Sequence, residues 1–378
     1  MKILMLTSYY YPHISGLTLY FQRLAEEYAL LGHKVTVITS QHEKSLQLRE
    51  QVNGVNVIRS PYLFKFNKGM FMHKILFDVY SALKEADVVH LNLPSTEALP
   101  VAILAKVLNK PVVTTYNCDI TLPHFFGSKF LDKLIDINHI LILKISDKLV
   151  VFTKDFARNS RVMKNFVHRS KEIFPIAEIK VNKIQPIEQL TAITGHKIGM
   201  VTRIAADKGI DYMLNAMPTI LKAFPDATLI LAGNMNAIGE DNYLASLQPL
   251  FKKYENNLLL LGLLATEQMP YFFRNIDLLV VASTNSTEAF GMVQAEAMLE
   301  GTPCVATNLP GVRVPIQLTG AGEIARIADS EDLAKKIISV LNKQTKPDRS
   351  KVKEIFNKSK AVKDYLEVYH AAILEPNR

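Results

Sequence analysis

Short runs of β-branched and aliphatic residues alternate with helical patterns along almost the whole chain, and that alternation restricts the fold more than any other feature. KILMLTS, KVTVITS, NVIRS, DVVHLN, PVVTTY and KLVVFT read as strands. After the first of them, Leu17, Tyr20, Leu24, Tyr28 and Leu31 fall at helical spacing, and Gly32 supplies the stop. Strand, helix, strand repeated in this way needs a parallel sheet covered on both faces. The pattern lapses between Phe174 and His196, where prolines interrupt a stretch without a steady period. It resumes with KIGMVTR, ATLILAG, LLLLG, DLLVVAS and TPCVAT. The expectation is an α/β protein of two doubly wound, Rossmann-like domains, residues 1–174 and 175–348. Residues 349–378 form a last helix with Val352, Ile355, Phe356, Val362, Tyr365, Leu366 and Tyr369 on one face, able to return to the first domain.

A chain of 378 residues with 48% hydrophobic content can fill two cores. Its two cysteines, Cys118 and Cys304, lie in separate apolar runs and suit a reducing compartment better than a disulfide framework. The N-terminal MKILMLTSYYYP is short, lacks a small-residue cleavage site and reads as a strand, so the expected location is the cytoplasm. The NST sequon at Asn285 then has no role. No stretch reaches the roughly 18 apolar residues that a membrane span needs. A net charge of +8 favours anionic partners. Basic residues gather around Arg59, Lys65, Lys68 and Lys74, interleaved with Tyr62, Phe64, Phe66, Phe71 and Phe77, and again from Lys129 through Lys171. The first cluster fits a peripheral contact with a membrane interface; its plainer reading is an amphipathic helix and loop packed on a core. No nucleic-acid-binding motif accompanies the charge.

Open parallel sheets hold ligands beyond the carboxyl ends of their strands, so two such domains facing across a cleft would line it with strand-to-helix loops. After the first strand, SYYYPHISG has only Gly16 before the helix; neither G-x-G-x-x-G nor a Walker motif occurs. After the first strand of the second domain, TRIAADKGID places Arg203 and Lys208 at the strand end and the next helix start, where two cations suit a diphosphate. Alone, each reads as a solvated loop residue. Further on, STNSTEAFGMVQAEAMLEG puts Glu288 in a polar turn and Glu296 inside an apolar helical pattern. Two carboxylates beside apolar neighbours call for a polar guest, and the free N–H groups of the helix start offer a seat for negative oxygen. A molecule built as sugar, diphosphate and ribose answers all of these features. No D-x-D occurs, and His33, His90 and His124 read as structural, so no metal or other cofactor is expected.

The E-x7-E spacing of Glu288 and Glu296, the preceding Ser283, the following Gly301 and Pro303, LPGVR, the Arg203, Lys208 and Gly209 set, and GHKVTVIT near the N-terminus form an ordered series. It resembles the donor site of retaining GT-B glycosyltransferases of family 4, from the N-terminus to about Leu341. That resemblance implies a GT-B fold. It implies that Arg203 and Lys208 neutralise the donor diphosphate, that Glu288 lies near the anomeric centre and that Glu296 holds ribose hydroxyls. Backbone N–H groups around Phe290, Gly291, Met292 and Val293 would meet sugar and phosphates, Gly262 and Leu263 the base, and Gly16 and Asn117 the donor. The chain departs from the family pattern at Ser15, Thr202, Asn117 and Val314, where glycine, glycine, histidine and glutamate are usual.

The reaction implied is transfer of a sugar from a nucleotide-diphosphate donor to an acceptor hydroxyl, saccharide or lipid-linked, with retained anomeric configuration, in polysaccharide or glycolipid assembly. Glu288, Arg203 and Lys208 would carry the chemistry. The alternatives are a catalytically silent sugar-nucleotide-binding partner, which the Asn117 and Thr202 departures encourage, or another GT-B enzyme such as a phosphorylase or epimerase.

Overall fold

A computed structural model describes residues 1–66, 69–122, 128–235, 239–344 and 346–375. Lys68 and His124 lie outside the described residues, as do the side chains of Lys65 and Phe66. The chain divides into two compact units. The first comprises Met1–Ile176 together with the chain from Lys358 onward, and the second is Ala177–Asn357.

In the first unit the strands are β1 (Lys2–Leu6), β2 (Lys34–Ser40), β3 (Arg49–Val52), β4 (Val55–Ser60), β5 (Phe64–Phe66), β6 (Gly69–Phe71), β7 (Val88–Leu93), β8 (Val112–Tyr116), β9 (Lys148–Val151) and β10 (Ser170–Glu172). Eight of them make one sheet in the order β10-β9-β8-β7-β1-β2-β4-β3, and β5 and β6 pair as a separate hairpin. Every pairing in the large sheet is parallel except β3 with β4. Every residue of β7 and β8 is buried, as a sheet covered on both faces requires. On helix Gly16–Leu30 the inward stripe is Tyr20, Phe21, Leu24, Ala25 and Tyr28. Leu31, expected on that stripe, is exposed at the helix end, because Gly32 follows at φ 82° and turns the chain away.

The second unit holds β11 (Lys197–Val201), β12 (Thr228–Ala232), β13 (Leu258–Gly262), β14 (Leu278–Val281), β15 (Cys304–Thr307) and β16 (Gly322–Ala325), all parallel, in the order β13-β12-β11-β14-β15-β16. Helices Ile210–Ala223 and Ser330–Lys343 pack together over one face, sending Met213, Leu214, Met217, Ala334 and Ile337 into a shared core. Each large aliphatic side chain so buried contributes about 1.5–3 kcal/mol.

The single last helix expected over 349–378 is two helices. Arg349–Ile355, capped by Asp348 accepting from the Ser350 and Lys351 N–H groups, belongs to the second unit. There Phe356 meets Phe290 edge to face. Lys358–Leu374 belongs to the first. In that unit the Tyr369 hydroxyl bonds His90 Nδ1 at 2.7 Å, His90 Nε2 meets Thr115 Oγ1 at 2.8 Å, and the Tyr365 hydroxyl bonds both Thr115 Oγ1 and the Tyr20 hydroxyl. All of these groups are buried, so the network satisfies polar atoms that would otherwise be costly inside a core. Burial pushes the His90 imidazole down to about 3, so it stays neutral.

Candidate active site

In the second unit the sheet order reverses direction between β11 and β14. Doubly wound sheets hold ligands at that point, beyond the carboxyl ends of the strands. The loops emerging there carry Arg203 and Lys208 after β11, and Glu288 after β14. Gly209 lets the two loops touch: at φ 66° it takes a conformation that suits glycine, and a Cβ there would lie 2.1 Å from the Ala282 carbonyl oxygen. The Thr284 N–H donates to the Asp207 carbonyl at 2.9 Å across the same junction.

Asp207 is the hub. Its Oδ1 is 2.7 Å from Arg203 Nη2, and its Oδ2 is 3.3 Å from Lys208 Nζ and accepts from Thr287 Oγ1 at 3.0 Å. Lys208 Nζ also donates to Glu288 Oε2 at 2.9 Å, and Arg203 Nη1 reaches Glu240 Oε1 at 3.5 Å. Glu240 Oε2 accepts the Ala206 N–H. Burial works against the Lys208 ammonium, but Glu288 and Asp207 more than offset it and hold its pKa above the usual lysine value. The sequence suggested two cations waiting for a diphosphate. Instead, the two cations face three carboxylates, Asp207, Glu240 and Glu288.

The helix seat is also engaged. Helix Met292–Leu299 begins after Gly291, left-handed at φ 71°, and the Gly291 N–H donates to Glu288 Oε1 at 2.9 Å. Glu288 therefore joins Lys208 to the helix start. Gln294, fully buried, donates from Nε2 to the carbonyls of Phe290 and Val312, which ties the loop after β14 to the one after β15. Glu296 is buried on the same helix, and Phe290 and Met292 are buried beside it. At the end of β13, Gly262 has φ 70° and its carbonyl accepts the Gly233 N–H at 2.7 Å, while Leu263 is exposed. A Cβ at Gly233 would lie 2.1 Å from the Thr202 carbonyl, so the ends of β11, β12 and β13 are drawn together.

Gly16 and Asn117 lie in the first unit. Gly16 opens its helix after Ser15, whose side chain caps it, and a Cβ there would meet nothing within 4 Å. Asn117 follows β8, buried. Its Nδ2 donates to Asn92 Oδ1 at 2.7 Å and to the Leu93 carbonyl, and its Oδ1 has no hydrogen-bond partner among the described residues. Asn92 in turn donates to Thr7 Oγ1, so the three polar side chains follow the carboxyl edge of β1, β7 and β8. Among the described residues no group of three or more His, Cys, Asp or Glu is arranged to hold a metal ion, and no helix is long and apolar enough to cross a membrane.

Two family descriptions match the chain: Glycosyltransferase Family 4 over residues 14–170, and Glycosyl transferases group 1 over residues 186–358. This chain is a GT-B glycosyltransferase resembling family 4. Among relatives of the glycosyltransferase is the alpha-monoglucosyldiacylglycerol synthase of Streptococcus pneumoniae, 22% identical over 82% of this chain and 72% of that protein. Another is the N-acetyl-alpha-D-glucosaminyl L-malate synthase of Bacillus anthracis, 22% identical over 87% of this chain and 92% of that one. The fold matches Anabaena HepE, solved with UDP and glucose, at a TM-score of 0.73 and 19% identity, with 98% of this chain and all of that one covered.

Sequence reasoning about this glycosyltransferase missed Asp207, Glu240 and Thr287. Asp207 had a visible signal, four residues after Arg203 and directly before Lys208. Glu240 had none, since it reaches the site from the far end of the loop that follows β12.

Proposed function

We propose that the enzyme moves a sugar from a nucleotide-diphosphate donor to an acceptor hydroxyl with retention of anomeric configuration. The observation that carries this reading is the paired-cation cluster at the switch point of the second sheet, where Arg203 and Lys208 are held by Asp207 and Glu288 beside a helix start. Arg203 and Lys208 pass from their carboxylates to the donor diphosphate and stabilise it as it departs. Lys208 leaving Glu288 frees that carboxylate for the transferred sugar, and Glu296 accepts from ribose hydroxyls. The acceptor hydroxyl enters on the face from which the diphosphate leaves. HepE was solved with UDP and glucose, which supports a nucleoside diphosphate leaving group. The diacylglycerol-linked and malate products named for two relatives support a hydroxyl acceptor and leave a lipid and a small acid both in range. A cytoplasmic site, with no resident metal or cofactor, belongs to the same reading.

A panel of nucleotide-sugars scored by thermal shift identifies the donor, since a ligand bound only by the folded state raises the melting temperature. Proton NMR of the first product, taken before mutarotation, then reads the anomer. An inverted linkage removes the retaining assignment, and no shift with any donor removes the whole reading.

A further inference from the structure

We propose that an open groove on the sheet of the first unit holds a neutral oligosaccharide. Parallel neighbours in a sheet are ordinarily joined by a helix that covers one face. Between β2 and β4 the chain makes β3 instead, antiparallel to β4 at the sheet edge, and so supplies no helix over that face. Helix Gly16–Leu30 packs on β2 and β4, where Val35, Val37, Val55 and Val57 are buried. The residues that alternate with these valines belong to the other face. There Thr36, Asn56 and Gln51 stand in register across β2, β4 and β3, and Arg49 stands opposite Ile58. Thr36, Asn56 and Ile58 are only half-buried, and Arg49 and Gln51 are exposed, whereas a sheet covered on both faces buries all such positions.

Helix Ile75–Glu85, packed on β1 and β4, walls the groove. Two cavities of about 510 and 500 Å³ follow it and share Arg49 and Ser81; small-molecule sites span roughly 300–1,000 Å³. The first is polar. Thr36, Arg49, Gln51, Asn56 and Ser81 line it, and their side chains make no hydrogen bond or ion pair with a described residue. Lys2 and Lys34 pair with Glu85 at one end, and Glu50 pairs with Arg59. The second is apolar and presents two rings, Phe77, 84% exposed, and Tyr80, 43% exposed with Lys84 Nζ 4.6 Å above it. This mixture selects the guest. Three cations against two carboxylates make too even a field for a polyanion, and an aliphatic guest would leave the amides and the guanidinium unpaired. Sugar hydroxyls both donate and accept, so one chain of them meets amide, hydroxyl, guanidinium and carboxylate together. The C–H face of a sugar ring suits the negative face of an aromatic ring. Lys2 and Lys34 open β1 and β2, so the groove starts at the amino ends of the strands, away from the carboxyl edge that carries Asn117. On the glycosyl-transfer reading, on which this identification of the guest rests, the saccharide is an acceptor or product chain held outside the site of transfer.

Isothermal titration calorimetry of the full chain with linear hexasaccharides of glucose, mannose, galactose and N-acetylglucosamine tests this. No donor is present, so the outcome is read apart from the transfer reaction, whose own test is the thermal shift with nucleotide-sugars. At least one hexasaccharide should bind, and inorganic phosphate in excess should not displace it. Arg49→Ala with Gln51→Ala should raise its Kd by at least about tenfold, and Phe77→Ala with Tyr80→Ala should do the same. Arg203→Ala should leave it unchanged. All four groove side chains are exposed, so the melting temperature of the double variants should match wild type, which separates a lost site from a lost fold. The proposal is overturned if no hexasaccharide binds, if phosphate displaces it, or if either folded double variant binds like wild type, since the saccharide would then sit elsewhere. It is overturned equally if wild type is a dimer that Arg49→Ala with Gln51→Ala dissociates and that binds no saccharide, which would make the open edge of β3 an interface between copies.

Discussion

Asp207 holds both cations of the site within hydrogen-bonding distance of one carboxyl group, and this shapes what each residue there does. Arg203, Lys208 and Glu288 are not free groups but are already oriented by one another and by Asp207, so on the proposed reading a donor diphosphate exchanges partners with them. Orientation in advance is what makes charge stabilisation effective in a departing-group reaction. Arg203→Ala should therefore lower turnover by about 10²- to 10³-fold, or about 3–4 kcal/mol of transition-state stabilisation. Steady-state kinetics with the identified donor checks it, and a turnover within threefold of wild type counts against the diphosphate role. The residue scale is also where the sequence was hardest to read. Arg203 and Glu288 were legible because each follows an apolar strand, a position that in a parallel sheet faces the ligand edge. Asp207 was legible only in part: its place four residues after Arg203 and directly before Lys208 was visible, but its contact with Thr287 is set by the fold of the two loops rather than by spacing.

Among the elements, the loop after β11 is the one whose shape the site depends on most. It closes on the end of β14 only because Gly209 has no side chain to meet the Ala282 carbonyl. Gly209→Ala combines a left-handed backbone with that clash and should destabilise the second unit by about 3 kcal/mol or more, a melting shift of roughly 6–12 °C. Gly16→Ala is the control, since it has ordinary dihedrals and open space, and should leave the melting temperature unchanged within error. Equal effects of the two would show that the loop tolerates a side chain. Wholly aliphatic strands such as Leu278–Val281 announce themselves in the sequence, and so did the doubly wound order they build. Ser170–Glu172 did not: it is a strand because Leu149 to Val151 offer it backbone partners, and nothing in Ser-Lys-Glu says so. The break near Asn357 was hidden for a different reason. Val352, Ile355, Val362, Tyr365 and Tyr369 keep helical spacing across it, so one apolar face reads continuously although its halves belong to different units.

Across the whole molecule the two units should answer acid differently. In the first, burial holds His90 down to about 3 and His139 down to about 4, against an ordinary value of 6.5. The unfolded chain thus takes up protons that the folded unit refuses, and stability is lost as pH falls from 6.5 toward 4, by up to about 1.4 kcal/mol per pH unit for each group. In the second unit, partial burial works against the Glu323 carboxylate, but Lys343, Ser339 and Lys336 hold it at about 2. Its contribution is present above the ordinary glutamate value of 4.5 and fades only as pH falls from there toward 2. Melting followed at pH 7, 6 and 5 should show the first unit weakening first. His90→Gln should start lower and fall less steeply; a parallel fall would remove His90 as a cause.

One consequence of the divided C-terminus concerns how the polypeptide comes off the ribosome. Everything the second unit needs has emerged once Asn357 is out, whereas the unit that starts the chain still lacks Tyr365 and Tyr369, the partners of His90 and Tyr20. The half made first is therefore the half completed last, and a nascent chain stopped short of those tyrosines would carry a finished second unit joined to a first unit whose core is still open.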